Sequence, residues 1–426
     1  MKKVERKYGC RPRTFVLRFL FLGMIAFGGV ASLYAGEQGT AVASQAVQET
    51  KVASDVVPEH DISESELHRH IATLASDEFK GRDPANEGGP MAAKYLTREF
   101  EKLGLKPKGN KGLYAQKFIG SRSQSMFWTK GRKAFPKDGK VAQKTGQKGI
   151  GFREEDGKEG DSKEDDPDAE DEDGKNAKSP MSDKEMDEAA QRLSNWLNRQ
   201  FQKRKRNEPN WSCRNVLGLL PGSDPKLKDE IIIVSAHFDH LGVRNGKVYN
   251  GADDNASGTA SVLELARVLS HRKEPLRRSV LFAAWDGEEK GLLGSSHWAQ
   301  SSTIPMDRVV AVINLDMIGR LRNDKLLVLG GGSSKQLSEM INTHAEKAKF
   351  KILDWKMGGN SDHWPFCVSG IPSVTFCTGI HKDYHAPTDD IELVHFDGLR
   401  RIDQMVLELV TELANRDARV EFTNDP

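Results

Sequence analysis

Cysteine is scarce in this chain: four in 426 residues. Cys10 belongs to the extreme N-terminus, which leaves Cys213, Cys367 and Cys377, an odd number that excludes a disulfide-built scaffold. Cys367 and Cys377 are open either to pairing or to standing as buried thiols. An excess of one charge is missing too. The formal net charge is +1, which argues against a dedicated nucleic-acid binder. Long apolar runs are absent save one, from Phe15 to about Tyr34, which follows a basic stretch (Lys2, Lys3, Arg6, Lys7, Arg11, Arg13) and precedes Ala35-Gly36. That is the layout of a secretory signal peptide with cleavage near Ala31 or Ala35. Arg18 interrupts the run and weakens a true membrane span, though an uncleaved N-terminal anchor is the alternative. The expectation is export to the periplasm or outside the cell, with membrane attachment only if the segment is retained.

What is present is strongly segregated. Residues 36 to about 60 read as a flexible lead-in. From Ile62 to Leu105 apolar residues recur at helical spacing. The stretch from about Ser121 to Pro180 is poor in large apolar residues and turns acidic in EEDGKEGDSKEDDPDAEDED. It cannot bury enough apolar surface to offset its ordering entropy, so disorder is expected there. It also lacks the glycine-centred spacing of a calcium-binding loop. A helix is expected to close it, with Met186, Ala190, Leu193, Leu197 and Phe201 on one face. Together these form a low-complexity insertion at about 120–210. From Asn215 onward, apolar strand candidates (EIIIVSAHFD, SVLFAAW, RVVAVINLDM, KLLVLGG, PSVTFCTG) alternate with amphipathic helices. That alternation means a mostly parallel sheet covered on both faces, a three-layer α/β domain.

In open α/β sheets ligands bind beyond the carboxyl ends of the strands. One strand there ends in His237-Phe238-Asp239, another leads to Glu288-Glu289, a third ends in Asp316, and a fourth is followed by Tyr384-His385. The loop NGADDNASG adds Asp253 and Asp254. A Glu-Glu pair in a turn is ordinarily a solvated pair, and a lone His or Asp at a strand end is ordinarily satisfied locally. Several imidazoles and carboxylates at one sheet edge point instead to metal. A catalytic zinc takes three protein ligands and keeps one position open. Two histidines and three or four carboxylates exceed one such site and suit two, provided one carboxylate bridges. Asp254 is the expected bridge, with His237 and Asp316 completing one metal site and Glu289 and His385 the other. Glu288, left unbound, is the expected general base and later the proton donor. Asp239 is expected to orient the His237 imidazole.

The motifs AHFDH, GADDNASG, WDGEEKGLLGS, NLDMIGR, SDHWPF and YHAPTDD, in that order, resemble the two-zinc exopeptidase family of bacterial leucyl aminopeptidases and glutamate carboxypeptidase II. The likeness runs from about Ile62 to Phe118 and again from about Asn215 to Arg416. It implies a three-layer αβα sandwich with a mixed, mostly parallel sheet over residues 61–426, following a signal peptide or anchor at 1–35. It selects Asp254 over Asp253 as the ligand, makes the first glutamate of the pair the base and the second a ligand, and matches Tyr384 to a tyrosine that holds the tetrahedral intermediate. Ser361, Asp362 and His363 match a family stretch and are expected in supporting roles.

The leading expectation is an exported hydrolase that removes N-terminal residues from peptides with two zinc ions per chain, manganese or cobalt being substitutes. Alternatives keep the fold and change the chemistry, as a carboxypeptidase or a one-zinc glutaminyl cyclase. A binding protein on a dead hydrolase fold would be expected to have lost ligands, and none of the expected ones is missing. An S-x-x-K or G-x-S-x-G serine hydrolase finds no support. Side-chain preference and oligomeric state are not legible.

Overall fold

The computed structural model describes residues 61–121, 210–355 and 360–423. The expected signal segment, the lead-in and nearly all of the charged insertion with its closing helix lie outside these residues. Among the described residues no helix is long and apolar enough to cross a membrane.

Helix α1 (Glu64–Leu74) starts at Ser63, whose hydroxyl accepts the Glu66 N–H at 3.3 Å, one of the unsatisfied donors of the first turn. Helix α2 (Gly88–Lys102) turns Ala92, Leu96 and Phe100 inward at helical spacing. Strands β1 (Lys106–Pro107) and β2 (Ala115–Gly120) then pair with β3 (Trp211–Leu220), all antiparallel. The β2–β3 register ends at Gly120 opposite Trp211, so the segment 122–209 leaves and re-enters the fold at paired strand ends.

The sheet centre is parallel: β7 (Ser279–Trp285), β4 (Ile231–His237), β8 (Val309–Leu315) and β11 (Ser373–Cys377) lie side by side in that order. Every residue of β4, β7 and β8 is buried, because helices cover both faces. Beyond β11 the direction reverses. Strand β9 (Lys325–Leu329) is antiparallel to β11 and parallel to edge strand β10 (Lys351–Trp355). A separate small hairpin joins β5 (Gly242–Arg244) to β6 (Lys247–Tyr249).

Side chains alternate between the faces with period two. Ile232, Val234, Val280 and Phe282 enter the larger core, with apolar residues of α1, α2, α3 (Gly258–Ser270), α5 (Lys335–Ala348) and α7 (Phe396–Asn415). Ile231, Ile233, Leu281 and Trp285 face the smaller core. There Trp298 of α4 (Leu293–Gln300) and Phe366 of α6 (Trp364–Cys367) complete a cluster of tilted rings about 6 Å apart. These are the three expected layers, around a mixed and centrally parallel sheet. Cys213, Cys367 and Cys377 are all free thiols, so the open question of a Cys367–Cys377 bridge resolves against pairing.

Candidate metal centre

Four parallel strands deliver their carboxyl ends to one edge, and the expected residues converge there. His237 is the last residue of β4, and Asp316 follows β8 directly. Glu288 and Glu289 stand in a 3-10 turn after β7, and His385 follows β11 in a loop. Asp254 comes from the loop opening α3.

The Asp254 carboxylate faces two ways. Its Oδ1 lies 3.5 Å from His237 Nε2, which also lies 3.2 Å from Asp316 Oδ1. Its Oδ2 lies 3.1 Å from His385 Nε2, which lies 3.3 Å from Glu289 Oε2. Two donor groups thus share one carboxylate. Asp253, its neighbour, points away: it accepts the Gly319 N–H at 2.6 Å and meets His381 Nε2 at 3.0 Å.

The electrostatics of the cluster call for positive charge at two places. Burial opposes protonation of His237, yet Asp316 and Glu288 together raise it well above the ordinary histidine value. Burial opposes protonation of His385 also, and Glu289 with Asp254 lifts it to about 9. Burial pushes Glu289 up, but the His385 and His240 imidazoles outweigh it and hold the carboxyl well below its usual range. Buried imidazole and carboxylate donors of this kind suit zinc. Two clusters meet the distance requirement for holding an ion: His237, Asp254 and Asp316, and a second made of His240, Asp254 and Glu289.

Glu288 is half-buried in the wall of the cleft that runs along the cluster. Burial raises its carboxyl well above the usual value, with His237 opposing and Asp316 adding to the shift. Tyr384 lines the same cleft and stacks on His385 with ring centroids 3.8 Å apart. Burial and the Asp254 carboxylate raise its hydroxyl well above the ordinary tyrosine value, so the phenol keeps its proton.

Asp239 meets the His237 imidazole through its main chain rather than its carboxylate. His237 Nδ1 meets the main-chain oxygen of Asp239 at 3.1 Å, while the nearest carboxylate oxygen is 3.8 Å away. The carboxylate is taken up elsewhere, accepting the N–H of Glu288 at 2.9 Å and of Glu289 at 3.3 Å. It therefore holds the Glu-Glu turn, and its own backbone holds the imidazole. Ser361 supports Asp316, donating to Oδ2 at 2.6 Å.

Three participants were given no role from the sequence, although His240 and Asp389 stand inside the motifs AHFDH and YHAPTDD. His240 places Nδ1 2.8 Å from Glu289 Oε1. Asp389 accepts the main-chain N–H groups of both Asp253 and Asp254. Arg82 is fully buried and donates to four carbonyl oxygens, those of Leu74, Phe238, Asn250 and Gly251. It ties the chain after β4 to the chain before Asp254.

The cleft has a volume of about 90 Å³. Beside the cluster its wall is largely apolar: Met317, Leu327, Leu329 and Ile380, with Thr375 and Cys377. The sheet register explains this grouping. Leu329 sits opposite Thr375 and Leu327 opposite Cys377 across the antiparallel β9–β11 pair, so all four share one face.

In class, the fold is that of a zinc-exopeptidase-like α/β protein. The model of Peptidase family M28 matches residues 215–410. That segment contains every residue of the cluster, so the resemblance read from the motifs is to this family. Aminopeptidase YwaD of Bacillus subtilis is 33% identical over 220 residues, 49% of this chain; the chain spans about half of that relative's length, 47%. Among solved structures, the zinc aminopeptidase BSAP from Bacillus subtilis superposes with a TM-score of 0.55 at 20% identity, covering 86% of this chain and 100% of that one. A glutaminyl cyclase from Porphyromonas gingivalis superposes with a TM-score of 0.54 at 15% identity, over 83% of this chain and 99% of that one. At these identities the two structures bear on the fold alone.

Proposed function

We propose that the chain is an exported two-zinc aminopeptidase. The observation that carries the reading is Asp254 with its two oxygens divided between His237 and His385, the arrangement a bridging ligand needs. In the proposal His237, Asp254 and Asp316 hold one zinc ion, and Asp254, Glu289 and His385 the other. The zinc pair, when bound, supplies Lewis acidity to the scissile carbonyl and to the attacking water.

The remaining steps belong to the chain. Glu288 takes one proton from the water as its oxygen attacks the carbonyl carbon, and gives that proton to the amine nitrogen as the C–N bond breaks. Its raised pKa suits both roles. Tyr384, kept protonated, donates its hydroxyl to the oxygen that gains charge. The apolar wall of Met317, Leu327, Leu329 and Ile380 receives the side chain of the N-terminal residue, and an apolar side chain matches it best.

The test is a scan of aminoacyl and acyl-blocked peptides with purified protein, zinc-loaded and chelated. Cleavage of free-amine substrates with apolar first residues, lost on chelation, is expected. Turnover of blocked peptides at equal rates would overturn the aminopeptidase reading. Export rests on the N-terminal layout alone, and N-terminal sequencing of protein recovered outside the cytoplasm, starting near residue 32 or 36, tests it.

A further inference from the structure

Glu289 and His240 meet at the back of the cluster. His240 lies three residues past His237, in the loop after β4, and is completely buried. Its Nδ1 lies 2.8 Å from Glu289 Oε1 and 3.8 Å from Asp254 Oδ2. At 2.8 Å from a carboxylate oxygen, this nitrogen carries the hydrogen and donates it. The other ring nitrogen, Nε2, is buried without a hydrogen-bond partner. That asymmetry decides between two roles. If Nδ1 were itself a metal ligand, a neutral ring would carry its hydrogen on Nε2, where nothing accepts it, and a buried donor without an acceptor is costly. With the hydrogen on Nδ1, only a lone pair is left bare.

The neighbourhood is built around this ring. A Cβ on Gly251 would come within 2.5 Å and 2.6 Å of two His240 ring carbons, so only glycine leaves room for the imidazole. Gly251 also has φ 56°, a conformation glycine adopts without strain. The Arg82 guanidinium donates to the carbonyl oxygens of Phe238 and Gly251, the chain on either side of the ring.

We infer that His240 is a positioning residue that makes Glu289 a one-oxygen ligand. Its Nδ1–H occupies Oε1, leaving Oε2, the oxygen that faces His385, to the metal. A carboxylate fixed in this way would offer a bound metal one oxygen rather than two. The inference rests on the two-zinc reading of the cluster.

The test is metal binding by the full chain, followed by competition with a graded series of chelators and independent of turnover. Wild type, His240→Ala, His240→Phe and His240→Gln are compared after loading with zinc. Loss of a hydrogen-bonding partner behind a ligand typically weakens metal affinity 10–100-fold. His240→Ala and His240→Phe should show that loss for one of the two ions, with the other unchanged. His240→Phe fills the space without a donor and controls for packing. His240→Gln keeps an N–H and should recover a large part of the affinity. If His240→Phe holds both ions as tightly as a wild type that binds two, His240 is packing and this inference falls while the two-zinc reading stands. If His240→Gln is no better than His240→Phe, the hydrogen bond is not the cause, and the inference also falls. A wild type that binds fewer than two ions overturns the two-zinc reading and this inference with it.

Discussion

Asp389 holds the backbone of Asp254 from behind: its Oδ2 accepts the Asp254 N–H at 3.0 Å. The same oxygen lies 3.0 Å from the Asp253 nitrogen, with Oδ1 at 3.2 Å. A side chain outside the proposed ligand set thereby sets the orientation of the residue proposed to bridge the two ions. Asp389→Ala would leave two buried N–H groups without an acceptor, at about 1–3 kcal/mol each. The expected result is a clear drop in Tm together with zinc affinity weakened about 10–100-fold. Thermal unfolding and chelator titration check it, and wild-type values in both would sink the idea. Asp389→Asn keeps one acceptor oxygen and should fall between.

The adjacent glutamates should fail differently. Glu289→Gln removes a proposed ligand, so zinc content and activity should fall together. Glu288→Gln leaves the ligands in place and removes the base, so kcat should drop about 10²–10⁴-fold with zinc content near two. Metal analysis beside steady-state kinetics separates the cases. Glu288→Gln retaining more than about a tenth of wild-type kcat would show that it is not the base.

Zinc should also stabilise the fold, because the buried carboxylates and imidazoles that hold it come together only in the native state. With free zinc at about 1,000 times its Kd, the gain is about 4 kcal/mol. Differential scanning fluorimetry of chelated protein against zinc concentration should show Tm rising by several degrees. A flat titration would mean that the cluster does not bind the ion.

Asp403, on α7 in the larger core, is fully buried beside Ser261. Burial raises its pKa well above the ordinary value; Ser261 opposes the shift, and nearby Glu264 adds to it. Unfolded, the same group ionises near pH 3.9. Between that pH and the raised folded value the unfolded chain binds fewer protons, so stability falls as pH rises, by up to about 1.4 kcal/mol per unit. Asp403→Asn removes this dependence. The mutant should match wild type near pH 4 and exceed it in Tm at pH 8. An equal Tm difference at both pH values would rule out titration of Asp403 as the cause.

Much of the site was legible because metal chemistry and strand ends both leave marks in sequence. The buried strands Ile231–His237, Ser279–Trp285 and Val309–Leu315 read as apolar runs, and each ends in, or is followed within a few residues by, its His, Glu or Asp. The supporting residues were not legible, for differing physical reasons. Arg82 reads as a surface charge because arginine is almost never fully buried, and its four carbonyl partners are backbone atoms without residue identity. His240 stands in a loop, where no periodicity reports which way a ring points. That Asp239 meets the His237 imidazole with its main-chain oxygen, and the Glu-Glu turn with its carboxylate, leaves no mark in residue identity. The reversal of β9 against β11, which builds the apolar wall, also escaped sequence patterning, since buried parallel and antiparallel strands carry the same apolar residues.

Because Gly120 and Trp211 are paired across the β2–β3 ladder, the connection between them already has its ends together. The entropy of closing a flexible connection grows only with the logarithm of its length, about 0.6 kcal/mol per doubling. By that scaling, growing from a two-residue turn to a flexible connection of about 90 residues takes between five and six doublings, on the order of 3 kcal/mol. The β2–β3 hairpin therefore works as an insertion port. The chain can acquire, lose or exchange a domain-sized cargo there at a cost smaller than that of many single core substitutions, with the strand pairing and the edge that gathers His237, Asp254 and His385 left as they are.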